Sequence, residues 1–512
     1  MAKTDMAQGK RYQNNQKLGT FLGVFTPTIL TILGVIMYLR FGWLLGHMGL
    51  YQVTLVVVLA NIITLITTLS FSSVATNIRV GVGGAYFIVS RSLGLEIGGA
   101  IGLPLFFSQV FSVTLYSFGL AESLRFLFPT VNVQTAAFII VIAVAAPSMT
   151  GAKIALKSQI PVMILIGISL LALGIGAIYR SWGNVFPVIC PTGEVGFWVG
   201  FAIFFPAVTG VMAGLSLSGD LRDPERSIPV GAISACLAGF VIYLLVPVLL
   251  IMGANATELR EDSLVWLRIA PLGPFVILPG LWGAIFSSAV GSMLAAPRTL
   301  QALAIDRTVP RFLGKRTGKG EKKLVPGIVL TLGVALGAVF LGDLNAVAPV
   351  VTIFFLTTYG VINIVAALET LSNDASWRPK LRVPWPVNLI GGIACLGVVF
   401  LINPLAGIIA IVAELTIWLL LSRRENTARW GDARRGIYET LIRWALIRLS
   451  RRPMSARNWR PHVLVFVSDP LQYLDLIRFG NWFSQGRGVV TVCQLVVGDL
   501  MDKNLDLICR HD

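Results

Sequence analysis

The sequence predicts an all-α polytopic membrane protein of twelve transmembrane helices. They form a five-plus-five inverted repeat with broken helices 1 and 6, followed by the start of a small cytoplasmic α/β domain. Three observations carry this prediction. The 512 residues are 55% apolar and only 13% charged, with a mean hydropathy of +0.78, the composition of a chain solvated mostly by lipid. Apolar runs of the roughly 20 residues needed to cross a bilayer recur along most of the chain. Two of them are interrupted midway by glycine, proline and threonine: Thr28-Ile-Leu-Thr-Ile-Leu-Gly-Val-Ile36 and Pro206-Ala-Val-Thr-Gly-Val-Met-Ala-Gly214.

A cytoplasmic N-terminal tail is expected over residues 1–18, a transmembrane domain over 19–422 and a cytoplasmic C-terminal region over 423–512. The first span, 19–45, carries the first break and ends near Arg40; it is too long, and too basic at its end, for a cleavable signal. Spans follow at 50–77, 97–127, 132–150 and 157–179. The sixth, 195–218, carries the second break, and 228–254, 270–297, 324–342 and 346–371 complete a second set of five. A broken helix opens each set, as an inverted repeat requires. Spans at 386–402 and 404–422 return the chain to its starting side. In hydrocarbon an unpaired backbone group costs several kcal/mol, so unwound segments at bilayer depth belong where protein buries them or a wet cavity meets them. Two such segments therefore point to a transport site at mid-membrane.

The formal net charge of +16 follows the membrane and not a nucleic-acid partner. Lys10, Arg11 and Lys17 precede the first span, and the same side receives Arg79, Arg91, Lys153, Lys157, Arg222, Arg226, the run from Arg307 through Lys315, Arg316, Lys319, Lys322 and Lys323, then Arg378, Lys380 and Arg382. Opposite loops hold mainly Arg180, Arg260 and Arg268, offset by Glu194, Glu258, Glu261, Asp262 and Asp343. This bias puts both termini in the cytoplasm. Cys190, Cys236, Cys395, Cys493 and Cys509 show no metal or disulfide spacing, and His47, His462 and His511 are dispersed. No cofactor is expected.

Past Arg423-Arg424 a basic segment places Ile437, Leu441, Trp444, Ala445 and Leu449 at helical spacing, which predicts a helix on the membrane surface. His462 to Ser468 and Gly488 to Val497 read as strands flanking a helical stretch from Asp469 to about Ser484.

In uncharged spans, carbonyl and hydroxyl oxygens are what can replace a cation's hydration shell. The breaks supply carbonyls; Thr209, Tyr116 and the Ser287-Ser288 pair supply hydroxyls. The N–H groups of Gly34 to Ile36 and of Gly210 to Met212 open resumed half-helices and suit an anion, with Tyr359 a phenolic donor to it. Plainer readings stand beside these. Intramembrane hydroxyls often bond their own helix, a helix break can be a simple kink, and Tyr116 and Tyr359 can be packing residues. Gly81-Val-Gly-Gly84 lacks the context of a phosphate loop and reads as close helix packing.

Several blocks together resemble the cation-chloride cotransporters, within the amino acid–polyamine–organocation superfamily. They are Gly34 to Arg40, Gly83-Gly-Ala-Tyr-Phe-Ile-Val-Ser-Arg-Ser-Leu-Gly94, Gly98-Gly-Ala-Ile-Gly102, Pro206 to Gly214, Ser218-Gly-Asp-Leu-Arg-Asp-Pro224, Ala296-Pro-Arg-Thr-Leu-Gln-Ala302 and Trp377-Arg-Pro379. The resemblance implies a potassium site at Thr31, Ile32, Tyr116, Pro206 and Thr209. It implies chloride sites at Gly34, Val35 and Ile36 and at Gly210, Val211, Met212 and Tyr359. It implies a sodium site at Leu30, Leu33, Ala284, Ser287 and Ser288, and an extracellular gate of Arg40 with Glu122, whose alternative role is snorkelling to the headgroups. Having Tyr116 and both serines is similar to the sodium-potassium-chloride type. Thr31 and Leu33 depart from it, standing where animal members have Asn and Trp. The short N-terminal tail and extracellular loop resemble a prokaryotic member.

The expectation is an electroneutral secondary symporter of chloride with potassium and sodium, not an enzyme, working by alternating access as a homodimer in the plasma (inner) membrane. The alternatives are a sodium-independent potassium-chloride symporter, an amino acid transporter of the same fold, and a transporter-like sensor.

Overall fold

Among the described residues, ten helices are long and apolar enough to cross a membrane, and two shorter apolar helices stand among them. They are α1 (Phe21–Leu39), α2 (Phe41–Asn77), α3 (Leu95–Leu124), α4 (Val133–Ser148), α5 (Gln159–Ser181), α6 (Phe197–Asp220), α7 (Pro224–Gly253), α8 (Gly273–Ile305), α9 (Val325–Leu341), α10 (Leu344–Ser372), α11 (Trp385–Ile402) and α12 (Pro404–Ser422). This computed structural model describes residues 18–77, 80–149, 159–182, 194–316, 324–372, 377–423, 433–451, 461–486 and 488–494. The tail with Lys10, Arg11 and Lys17, the basic residues Arg79, Lys153, Lys157, Lys319, Lys322 and Lys323, and Cys190, Cys509 and His511 lie outside the described residues. The helices form a multi-pass membrane protein, since helices satisfy every backbone group within one segment where lipid offers no partner.

The two predicted breaks take different forms. In α1 the half-helix Thr26–Ile32 stops at Leu33 (φ −77°, ψ 45°) and Gly34 (φ −101°, ψ −146°), and the helix resumes at Val35. Arg40 stays helical, its N–H on the Ile36 carbonyl and its own carbonyl accepting from Leu44. The second half therefore runs on into Phe41–Met48, the first part of α2, until Gly49 (φ 75°) kinks that helix. In α6 only a 3-10 turn, Phe205–Val208, intervenes; Thr209 and Gly210 keep right-handed helical angles and the α-helix restarts at Val211. Pro206 has no N–H for the Ala202 carbonyl four residues back. The Thr352 hydroxyl of α10 donates to that carbonyl instead, at 2.7 Å.

The broken helices are central. Their apolar windows are 89% (α1) and 83% (α6) buried, against 11% for α12, which marks α12 as peripheral. Helix packing here cannot rely on escape from water, so cross-helix polar bonds matter. The Ser70 hydroxyl of α2 lies 2.5 Å from Asn363 Oδ1 of α10 and 3.0 Å from Asn388 Oδ1 of α11, and Asn363 Nδ2 donates to Thr67 Oγ1 at 2.8 Å.

Three of the sequence blocks converge at one end of the helices. Gly84 (φ +52°) opens the helix Ala85–Ser92, and a Cβ there would lie 2.8 Å from the Leu215 carbonyl, so glycine is required on both counts. That is the close packing predicted for Gly81 to Gly84. Tyr86 and Arg91 of this helix donate to Asp306, past the end of α8, at 2.9 and 3.1 Å. Ser218 Oγ donates to the Gly81 carbonyl at 2.8 Å, and Asp220 pairs with Arg298 of α8 at 2.8 Å. Leu18, before α1, bonds through its backbone to Asp220 and Arg222.

The chain divides into two compact units, Met1–Tyr438 and Glu439–Asp512. Helix α13 (Ala433–Ser450) exposes Leu441, Trp444 and Leu449; the side chain of Ile437 lies outside the described residues. In the second unit, strands β1 (His462–Val467) and β2 (Val489–Gln494) pair in parallel, with His462 opposite Val489, across the connecting helix α14 (Leu474–Ser484). Residues 495–497 of the second predicted strand lie outside the described residues.

Candidate functional site

The two breaks lie against each other. A Cβ on Gly210 of α6 would sit 2.8 Å from the Thr28 carbonyl and 2.9 Å from the Ile32 nitrogen of α1, so the α6 backbone crosses the first half of α1 at a distance only glycine permits. Tyr243 of α7 spans both breaks: its hydroxyl bonds the Ile32 carbonyl of α1 and lies 3.3 Å from the Ala207 carbonyl of α6.

Of the residues predicted for potassium, Thr31 and Ile32 lie at the first break and Pro206 and Thr209 at the second. Thr31 Oγ1 donates to the Pro27 carbonyl at 2.7 Å and Thr209 Oγ1 to the Pro206 carbonyl at 2.8 Å. Each hydroxyl thus bonds its own helix, as the plainer reading anticipates, yet keeps acceptor lone pairs for a cation. The Ile32 carbonyl accepts from Gly34 N–H at 2.7 Å as well as from Tyr243. The Pro206 carbonyl likewise accepts from both the N–H and the hydroxyl of Thr209. Tyr116 of α3 is buried.

Of the N–H groups predicted for anions, Gly34 donates to Ile32, and Met212 donates to the Thr209 carbonyl at 3.3 Å. Val35 and Ile36, like Val211, head their half-helices, where N–H groups have no partner within the helix. Tyr359 of α10 donates to the Thr209 carbonyl at 3.2 Å, which holds α10 against the second break.

The sodium set divides between two surroundings. Ser288 Oγ of α8 reaches the Leu30 carbonyl of α1 at 3.4 Å, Ala284 is fully buried one turn earlier, and Leu33 is itself a break residue. Ser287 lines a cavity of about 20 Å³, and its Oγ is buried without a hydrogen-bond partner among the described residues. Thr31, Gln159 of α5, Ser216 of α6 and the apolar Val290 and Leu294 line the same cavity.

Toward the far end of the second half of α1, Arg40 makes a two-pronged contact with Glu122 of α3, at 2.9 and 2.8 Å, while its Nε donates to Asn345 Oδ1 at 2.7 Å and Nη1 to the Leu39 carbonyl at 3.2 Å. Both side chains of the pair are largely buried. Arg40 thus ties the end of α1 to α3 and α10 through Glu122 and Asn345.

Sequence reasoning missed Tyr243, Asn345 and Gln159. For Tyr243 and Gln159 the only signal was a polar side chain within an otherwise apolar span; Asn345 lies one residue before the predicted span 346–371.

The amino acid permease family model matches residues 23–465. The chain belongs to the amino acid permease family. Solute carrier family 12 member 9 of Danio rerio is 30% identical over 95% of this chain and 60% of its own length. Solute carrier family 12 member 2 of Squalus acanthias is 31% identical over 93% of this chain and 45% of its own length. The chain thus spans about half the length of the curated relatives it matches. These matches agree with the resemblance to cation-chloride cotransporters drawn from the sequence blocks. Among solved structures, Mhp1, a nucleobase-cation-symport-1 family transporter in a closed conformation with bromovinylhydantoin bound, aligns with a TM-score of 0.48 and 16% identity, over 80% of this chain and 92% of that one.

Proposed function

We propose that this member of the amino acid permease family is an electroneutral secondary symporter that carries chloride with potassium and sodium by alternating access. The observation that carries the reading is the apposition of the two breaks, with Tyr243 bonded to both and Tyr359 to the second. Neutral oxygens of Leu30, Thr31, Ile32, Pro206 and Thr209 and N–H groups heading two half-helices meet there, so one pocket offers ligands to both signs of charge. The phenol of Tyr116 and the hydroxyl of Ser288 extend the cation set from α3 and α8. Binding potassium requires the Ile32 and Pro206 carbonyls to exchange a present donor for the ion, which favours loading coupled to a shift of α7.

In this reading both termini face the cytoplasm, the protein works as a homodimer in the plasma (inner) membrane, and Arg40 with Glu122 and Asn345 closes the outer side. The cavity at Ser287 then opens toward the inner side. Uptake of rubidium into liposomes tests it, with sodium, potassium or chloride omitted in turn. Rubidium uptake that requires chloride and sodium is expected. Uptake indifferent to chloride overturns the reading, and loss of the sodium requirement alone reduces it to potassium-chloride symport.

A second reading, amino acid symport, draws on the matching family model and on the same α1 amides, which suit a carboxylate. Inhibition of uptake by amino acids distinguishes it.

A further inference from the structure

We propose that Glu414, near the middle of α12, is a proton-binding site apart from the pocket between the breaks: the protonated carboxyl donates to Thr357 of α10 and seats α12 on that helix, and release of the proton undoes the seat. The link to transport rests on the symport reading above; the proton site itself does not.

The placement of the carboxyl sets it apart. Glu414 is the one ionisable residue in the 19-residue helix Pro404–Ser422. Gly407, Ala410, Glu414, Ile417, Trp418 and Leu421 recur at helical spacing among its less exposed residues, so Glu414 lies on the side of α12 that packs on α3, α10 and α11. There the carboxyl meets the Thr357 side chain of α10, and its Oε1 is buried with no hydrogen-bond partner among the described residues. No cation pairs with it among the described residues. An unpaired charge at the middle of a span is costly, which favours the neutral acid.

Hydrogen-bond direction points the same way. Thr357 Oγ1 donates its proton to the Phe354 carbonyl at 3.1 Å, so what it offers Glu414 is a lone pair. A carboxylic acid can donate to that lone pair, whereas a carboxylate only accepts. The surrounding helices supply nothing to stabilise a charge. On α3 the ionisable groups are Glu96 in the first turn, the buried Tyr116, and Glu122, which Arg40 holds. On α10 they are Tyr359, which donates to Thr209, and Glu369 in the last turn; on α11 there is Cys395, beside Asn363. None of these is a cation, and α3, α10 and α11 contain no Lys, Arg or His. Tyr359, two residues past Thr357, holds α10 against the second break. A charge at Glu414 therefore disturbs the helix that bears on the transport pocket, and uptake falls as pH rises through the titration of Glu414.

The test is carbodiimide labelling of the purified full-length protein in liposomes, read by peptide mass spectrometry over a pH series, run beside chloride-dependent rubidium uptake. A carbodiimide adds to a carboxyl together with its proton, so labelling reports the protonated acid. Lipid-soluble dicyclohexylcarbodiimide is expected to modify Glu414 at neutral pH in preference to a water-soluble carbodiimide, with the order reversed at the exposed Asp475. The Glu414 rate should fall about tenfold per pH unit once pH passes the group's titration. Glu414→Gln keeps a donor for Thr357 and cannot titrate, so its uptake should lose the alkaline decline that the wild type shows. No labelling of Glu414 at neutral pH by the lipid-soluble reagent, or equal labelling by both reagents, overturns the proposal. Labelling as expected with identical pH profiles of uptake in wild type and Glu414→Gln keeps the proton site and overturns its link to transport. A protein labelled at Glu414 but without chloride-dependent uptake keeps the site and overturns the symport reading instead.

Discussion

Replacing Glu122 by Gln should unlock the closure at the far end of α1. In the structure Arg40 meets both carboxylate oxygens, at 2.8 and 2.9 Å, and the pair is mostly shielded from water. Removing one partner of a buried ion pair costs about 3–5 kcal/mol. Glutamine keeps one acceptor oxygen, and Arg40 retains Asn345 and the Leu39 carbonyl, so about 2–3 kcal/mol is the appropriate loss after allowing for the pair's partial exposure. If that energy belongs to the closed state alone, the opening equilibrium grows roughly 30- to 150-fold. A cysteine at Met37, fully buried between the closure and the break, reports it through its labelling rate with a membrane-impermeant maleimide, which should rise by a similar factor. Arg40→Lys should open the molecule nearly as far, because a point charge cannot reproduce the fork and the Asn345 contact together. Labelling equal to wild type in Glu122→Gln, or full rescue by lysine, would refute the assignment of this trio as a closure.

Tyr243→Phe removes the hydroxyl that bridges the breaks; detergent-solubilised protein should lose about 1–3 kcal/mol of stability. Half-saturating rubidium should fall, because the Ile32 carbonyl is no longer shared, and a rise would contradict that role. Gly210→Ala, whose Cβ meets the Thr28 carbonyl at 2.8 Å, should abolish uptake in protein that still inserts. Gly333→Ala in α9, with open space around it, should be neutral or stabilise by up to about 1 kcal/mol through helix propensity, and equal effects of the two would argue against a tight crossing. Asn363→Leu leaves the Ser70 and Thr67 hydroxyls without their α10 partner; a drop in thermal stability of the order of 1–3 kcal/mol is expected, read by the unfolding midpoint.

The spans and the first break were legible because hydropathy and the Leu33-Gly34 pair act locally. The second break was legible in place but not in form. Pro206 announces a missing hydrogen bond, whereas the Thr352 hydroxyl that makes up for it comes from a helix far along the chain. The same limit hid Tyr243, whose partners Ile32 and Ala207 lie on two other helices, and Gln159, whose meaning depends on sharing a cavity with Ser287. The Gly83-Gly84 block was readable as packing because a positive φ and a close neighbour both exclude side chains, while its target, Leu215, was not. The α/β element past residue 461 followed from alternation and turn signals, although the parallel register of His462 on Val489 is a tertiary fact.

The central claim is that one pocket between the α1 and α6 breaks carries cation and chloride together. The most direct measurement loads voltage-clamped proteoliposomes with ⁸⁶Rb⁺ at equal concentration on both sides and imposes only an inward chloride gradient, with sodium balanced. The account predicts rubidium accumulation above equilibrium that collapses when chloride is replaced by gluconate. Rubidium that stays at equilibrium in the presence of the chloride gradient would contradict it.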